Sequence, residues 1–210
     1  MRFDSIIWDW NGTLLNDVEV AINSINRLLH DRNLVPLTLE RYLDVFTFPV
    51  QDYYEVIGFD LINEPFEIPA FQFITIYNKA VEHCGLHNEV VSILSRLQAM
   101  GYRQFILSAM EQQQLEKTVN DHHITHYFEG LYGLDNHFAM SKIEIGKSLI
   151  SKNGLDADRV LMIGDTIHDY EVAQAIGCKC ILIPNGHQSK ERLLISGANV
   201  LESLEEIDFL

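Results

Sequence analysis

Three aspartates, a serine and a lysine are the residues of this chain whose types and positions could do chemistry together. Asp9 follows the apolar run Ile6-Ile7-Trp8 and opens the segment Asp9-Trp10-Asn11-Gly12-Thr13. Ser108 closes a second apolar run, Lys142 stands at the start of a helical pattern, and Gly164 leads into Asp165-Thr166-Ile167-His168-Asp169. Asp165 and Asp169 are four apart, so a helix beginning there lets them share a face. Taken singly, each aspartate reads as a cap or turn residue. Taken jointly at one sheet edge, three carboxylates, a hydroxyl and an ammonium suit Mg²⁺ beside a phosphate, because Mg²⁺ takes hard oxygen ligands, keeps several waters and bridges to phosphate oxygens. Ser108 and Lys142 would neutralise the remaining phosphate oxygens.

The elements that must position these groups are legible as five short apolar stretches at residues 5–8, 102–107, 128–132, 160–163 and 179–183. Near-continuous apolar character is what parallel strands show when helices cover both faces. Between them run helical patterns over 90–100, 143–153 and 170–176, ending at Gly101, Gly154 and Gly177, where left-handed C-terminal caps belong. The βαβα alternation predicts an α/β fold with a doubly wound, mostly parallel sheet, and ligands of such sheets bind beyond the carboxyl ends of the strands. One interval, 17–84, breaks the alternation with helical patterns only, at 18–32, 39–45, 53–57 and 71–81. Its aromatics, Phe46, Phe48, Tyr53, Tyr54, Phe59, Phe66, Phe71, Phe73 and Tyr77, are expected to form the core of a small helical insertion, with one or two facing a cleft.

Composition narrows the function classes. The 210 residues carry 15 Lys+Arg against 30 Asp+Glu, a formal net charge of −15, which opposes nonspecific nucleic-acid binding. Apolar residues at 47% and charged residues at 21% are globular proportions. Cys84, Cys178 and Cys180 fit neither a zinc knuckle nor a CxxC pair and read as packing in a reducing compartment. No apolar run approaches the ~20 residues of a membrane helix, and Asp4 and Asp9 interrupt the N-terminal stretch that could imitate a signal peptide. The expectation is a cytoplasmic protein that binds neither nucleic acid nor membrane. Composition does not speak to its oligomeric state.

The motifs resemble those of the haloacid dehalogenase-like hydrolases along essentially the whole chain, and by pattern the phosphoglycolate phosphatase-like members. That family carries Asp-x-Asp-Gly-Thr after strand one, Ser or Thr after strand two, a Lys, and Gly-Asp-x-x-x-Asp. Asp9, Ser108, Lys142, Asp165 and Asp169 match in order and approximate spacing. The resemblance implies a Rossmann-like core at 1–16 and 85–210 with a helical cap at 17–84. It implies Asp9 as the nucleophile of an aspartyl-phosphate pathway on a small phosphorylated metabolite. It further implies Ser108, Ala109 and Lys142 as substrate-binding residues, and Mg²⁺ held by Asp9, the Asn11 carbonyl and Asp165, with Asp169 supporting the metal or orienting Lys142. Lys147 is the competitor for the lysine role.

Asn11 departs from the pattern, because the family's phosphatases place their acid/base aspartate there. An amide cannot donate and recover a proton at ordinary pH, and general acid–base catalysis is worth ~10²–10⁴ in rate. Three readings follow. One is a phosphatase that prefers activated leaving groups or takes its proton carrier from His168 or the cap. Another is phosphonatase-like or phosphotransfer chemistry, for which Trp10 fits and Lys79 is the only cap lysine. The third is a phosphometabolite-binding protein with little turnover. His122, His123 and His126 read as surface histidines. Asn185, Gly186 and His187 read as a turn near the cleft, and Glu202, Glu205, Glu206 and Asp208 as a solvated helix face.

Overall fold

Ile6 and Trp8 face one side of the first strand and Ile7 the other, and all three are fully buried, so the chain begins as the centre of a sheet covered on both faces. The computed structural model describes residues 3–134 and 141–209. Six strands, β1 (Ser5–Trp8), β2 (Arg103–Glu111), β3 (Gly130–Leu134), β4 (Val160–Gly164), β5 (Lys179–Leu182) and β6 (Asn199–Val200), lie in the order β3-β2-β1-β4-β5-β6. Every pairing is parallel. The chain winds outward from β1 to β3, then returns to place β4 on the other flank of β1, which puts the topological switch point between β1 and β4.

Helices α5 (Val90–Ala99) and α6 (Gln112–Asp121) cover the face that holds Ile6, Trp8, Ile106 and Leu161. Helices α7 (Lys142–Lys152) and α8 (Ile167–Ile176) cover Ile7, Phe105, Leu107 and Met162 on the other. Gly101, Gly154 and Gly177 all have positive φ at the ends of α5, α7 and α8, as left-handed caps require. A last helix, α9 (Lys190–Ile195), precedes β6.

Between β1 and α5 the named elements are all helical: α1 (Val18–Asp31), α2 (Leu39–Val45), α3 (Val50–Val56), α4 (Glu67–Ala80) and a short 3₁₀ turn, Val81–His83. In α1 the buried Ala21, Ile25, Leu28 and Leu29 form the i, i+4, i+7, i+8 stripe of an amphipathic helix. The aromatics do not make a closed core of their own. Tyr42, Tyr53, Tyr54 and Phe59 join one continuous apolar cluster with Trp8 and Trp10, while Phe71 is 70% exposed. The two chain crossings into this segment are tied to each other. Asn16 N–H donates to the Gly85 carbonyl at 2.9 Å, His87 N–H donates to the Leu14 carbonyl at 3.1 Å, and Leu15 and Leu86 form an antiparallel bridge.

Three features of the strands also depart from the sequence expectation. β2 does not end at 107 but runs to Glu111, with a register shift between Leu107 and Glu111, so Ser108 sits at an irregularity inside the strand rather than after it. β3 starts at Gly130, two residues later than the apolar run suggests. β6 has only two residues, too few to show any periodicity. Among the described residues no helix is long and apolar enough to cross a membrane.

Candidate active site

The carboxyl ends of β1 and β4 deliver Asp9 and Asp165 side by side, because Trp8 pairs with Ile163 in register and the Asp9 N–H donates to the Ile163 carbonyl at 2.8 Å. Asp169 comes from the first turn of α8. There Thr166 and Asp169 form a reciprocal capping box, with Thr166 Oγ1 donating to Asp169 Oδ2 at 2.7 Å. One oxygen from each of Asp9, Asp165 and Asp169 lies within 4.8 Å of the others, the metal-competent acidic group found among the described residues. Lys142, at the N-terminus of α7, donates from Nζ to Asp9 Oδ1 and, at 2.6 Å, to Asp169 Oδ1. Both oxygens of Asp169 are thereby engaged by protein donors, one of them Lys142. Thr13 Oγ1 donates to Asp165 Oδ1 at 2.9 Å.

Close approach dictates the glycines here. A Cβ on Gly186 would fall 2.0 Å from Asp165 Oδ2, and one on Gly12, which also has φ +76°, would fall 2.4 Å from the same oxygen. The cradle therefore closes around Asp165 only because both side chains are absent.

The charge balance is unfavourable without a cation. Burial pushes the Asp9 carboxyl well above its ordinary range. Lys142 opposes that rise, and Asp169 and Asp165 add to it. Burial likewise raises Asp165 to about 6, against the attraction of His187 and with the repulsion of Asp169. Three buried carboxylates face one buried ammonium, and hard oxygen ligands with surplus negative charge are the donor set a divalent cation takes.

A second network surrounds Asn11. Its Nδ2 donates to Asp17 Oδ2 at 3.1 Å and to the Tyr77 hydroxyl at 2.7 Å. Asp17, 1% exposed, also accepts from the Tyr77 hydroxyl at 2.5 Å and from the Gly12 N–H at 2.7 Å, and lies 3.4 Å from His187 Nε2. Burial works to raise the Asp17 carboxyl, yet His187, Tyr77 and Asn11 hold it below its ordinary value. The His187 backbone N–H donates to Asp165 Oδ2 at 2.6 Å, and its Nδ1 pairs with the Tyr42 hydroxyl at 2.8 Å. The amide of Asn11 is thus fixed as a donor to an ionised carboxylate.

Above these groups opens a cavity of about 220 Å³, lined by Asp9, Asn11, Lys142, Asp165 and Asp169 and by aromatic side chains from α2, α3 and α4. Among solved structures, a predicted phosphatase from Clostridium acetobutylicum superimposes with a TM-score of 0.84 at 18% identity, covering 99% of this chain and 97% of that one. A phosphoglycolate phosphatase of Aliivibrio fischeri is 25% identical over 93% of this chain and 90% of its own length. A 5'-nucleotidase of Pseudomonas aeruginosa is 25% identical over 92% of this chain and 88% of its own. The family described as haloacid dehalogenase-like hydrolase matches residues 6–183. The chain belongs to that family.

Within the hydrolase, Asp9, Asn11, Lys142, Asp165 and Asp169 meet at the cavity base, and Ala109 lines the wall. Ser108 lies behind it, 1% exposed, with its Oγ accepting the Met110 N–H and 3.5 Å from Asn11 Oδ1. Lys147 and Lys79 are exposed and away from the cavity. Of the three clustered histidines, His122 rests against the Trp10 ring at 6.1 Å. Sequence reasoning missed Asp17, Tyr77 and Tyr42, whose types and spacing carry no motif, and undervalued His187. The one signal for His187 was its position just after β5.

Proposed function

We propose that this hydrolase is a Mg²⁺-dependent phosphatase of small phosphomonoesters working through a phosphorylated Asp9. Asp9 attacks phosphorus, Lys142 and Ala109 hold the phosphate oxygens with Ser108 supporting that segment from behind, and the helical segment 17–84 serves as the cap that closes over the leaving group. Asp9, Asp165 and the Asn11 carbonyl would hold Mg²⁺, with Asp169 fixing Lys142. Bound there, the cation cancels the repulsion between carboxylate and phosphate and stabilises charge as the phosphoryl group transfers. The observation that carries the reading is the convergence of Asp9, Asp165, Asp169 and Lys142 at the floor of one aromatic-walled cavity. Relatives named phosphoglycolate phosphatase and 5'-nucleotidase support the same reaction class.

Asn11 modifies the reaction. Because its amide is committed to Asp17 and Tyr77, no proton carrier stands beside the leaving group at that position. Acyl phosphates should therefore turn over faster than unactivated alkyl phosphates, and the phosphorylated Asp9 should persist. The phosphonatase alternative lacks its lysine, since Lys79 is exposed and does not line the cavity. Magnesium-dependent phosphate release from a panel of esters, run beside Asp9→Asn, tests the proposal. Equal release by both proteins would leave only a binding role.

A further inference from the structure

We infer that the leaving group accepted by this cavity is an uncharged planar ring bearing a polar substituent, rather than a small carboxylated alcohol, an assignment that rests on the phosphatase reading. Phe46, Phe48, Phe73, Tyr42, Tyr53 and Tyr77 line the cavity from α2, α3, α4 and the segment between α2 and α3. These are faces and edges against which a flat ring packs with gain beyond its buried area.

A second anion would find no partner there. Among the described lining residues the basic groups are Lys142, His168 and His187. Lys142 donates to Asp9 and Asp169. His187 has both ring nitrogens engaged, by Tyr42 and Asp17. His168 stacks on Phe48 with centroids 4.5 Å apart, and its Nδ1 faces Glu171 at 3.5 Å. Glu111 and Asp17 add negative charge to the same wall. A leaving-group carboxylate would be desolvated beside like charges, which is costly.

Two wall donors wait for acceptors. The Tyr53 hydroxyl, on a residue 3% exposed, and Gln114 Nε2 are buried atoms without a hydrogen-bond partner. Such orphans are rare in folded proteins, and an acceptor on the ring's edge would pair with the Tyr53 hydroxyl.

The test compares benzyl phosphate, 3-hydroxybenzyl phosphate and phosphoglycolate with Mg²⁺. All three release a primary alcohol, so the missing acid at Asn11 handicaps them alike. The kcat/KM of benzyl phosphate should exceed that of phosphoglycolate by at least about tenfold. Phe48→Ala should raise KM for the ring substrates roughly three- to tenfold, and Tyr53→Phe should erase the advantage of the hydroxylated ring. Magnesium-dependent turnover that favours phosphoglycolate would overturn the inference and leave the phosphatase reading standing. If no ester turns over, calorimetry of Mg²⁺-loaded protein with benzylphosphonate and phosphonoacetate decides. Tighter benzylphosphonate supports the ring pocket, and tighter phosphonoacetate, or no benzylphosphonate binding, refutes it.

Discussion

Asn11 and Asp17 behave as a matched pair. The amide donates to a carboxylate held ionised by His187, Tyr77 and the Gly12 N–H, so an aspartate at position 11 would confront a like charge about a hydrogen bond away. Asn11→Asp alone should therefore raise alkyl phosphate turnover little. Asn11→Asp combined with Asp17→Asn should raise it at least tenfold, out of the ~10²–10⁴ that acid–base catalysis supplies. Steady-state kcat on an alkyl phosphate separates the two, and a single variant as fast as the double would disprove the pairing. Asp9→Asn makes a different demand. It should abolish magnesium-dependent phosphate release without lowering the melting temperature of metal-free protein, because it removes a carboxylate whose ionisation burial opposes while Lys142 keeps Asp169 as its partner.

At the scale of elements, the loops after β1 and β5 share one constraint, the room their glycines leave for Asp165. Gly186→Ala sets a Cβ where an Asp165 oxygen comes within 2.0 Å, and that oxygen belongs to a side chain held from two directions by Thr13 and the His187 N–H. The expected cost is about 1–3 kcal/mol of stability together with markedly weaker Mg²⁺ binding, read by denaturant melts and calorimetry. Unchanged affinity would show that the cradle has slack. The strands that carry Asp9 and Asp165 were legible because burial on both faces writes itself as Ile6-Ile7-Trp8 and Val160-Leu161-Met162-Ile163. The end of β2 was not, since a register shift within a strand leaves no periodic trace, and so Ser108 was placed one step too far along. Helices α6 and α9 bury few apolar residues, Leu115 and Val119 in the one and Leu193 in the other, and so leave only a faint periodic pattern. Tyr42 and Tyr77 belong to the same category. As sequence they are ordinary aromatics in amphipathic helices, and only the folded chain reveals that they hold His187 and Asp17.

For the molecule as a whole, three clustered carboxylates predict that Mg²⁺ is part of the stability as well as of the chemistry. Cation at about 100 times its dissociation constant adds about 2.7 kcal/mol, or roughly 5–10 °C in Tm for a chain of this size. Scanning calorimetry with and without chelator measures it, and Asp165→Asn should abolish the shift. A chelator-insensitive Tm would argue against a cation among those aspartates. The paired crossings at Asn16–Gly85 and Leu14–His87 carry a mechanical corollary. Two chain segments pinned by their own hydrogen bonds behave like a door hinge: they resist twisting and sliding yet fold about one axis. Passage to the reacting phosphorus would then be governed by a single swinging coordinate, whose latch is the contact of Tyr42 and the Phe46 carbonyl with His187, Gln188 and Arg192.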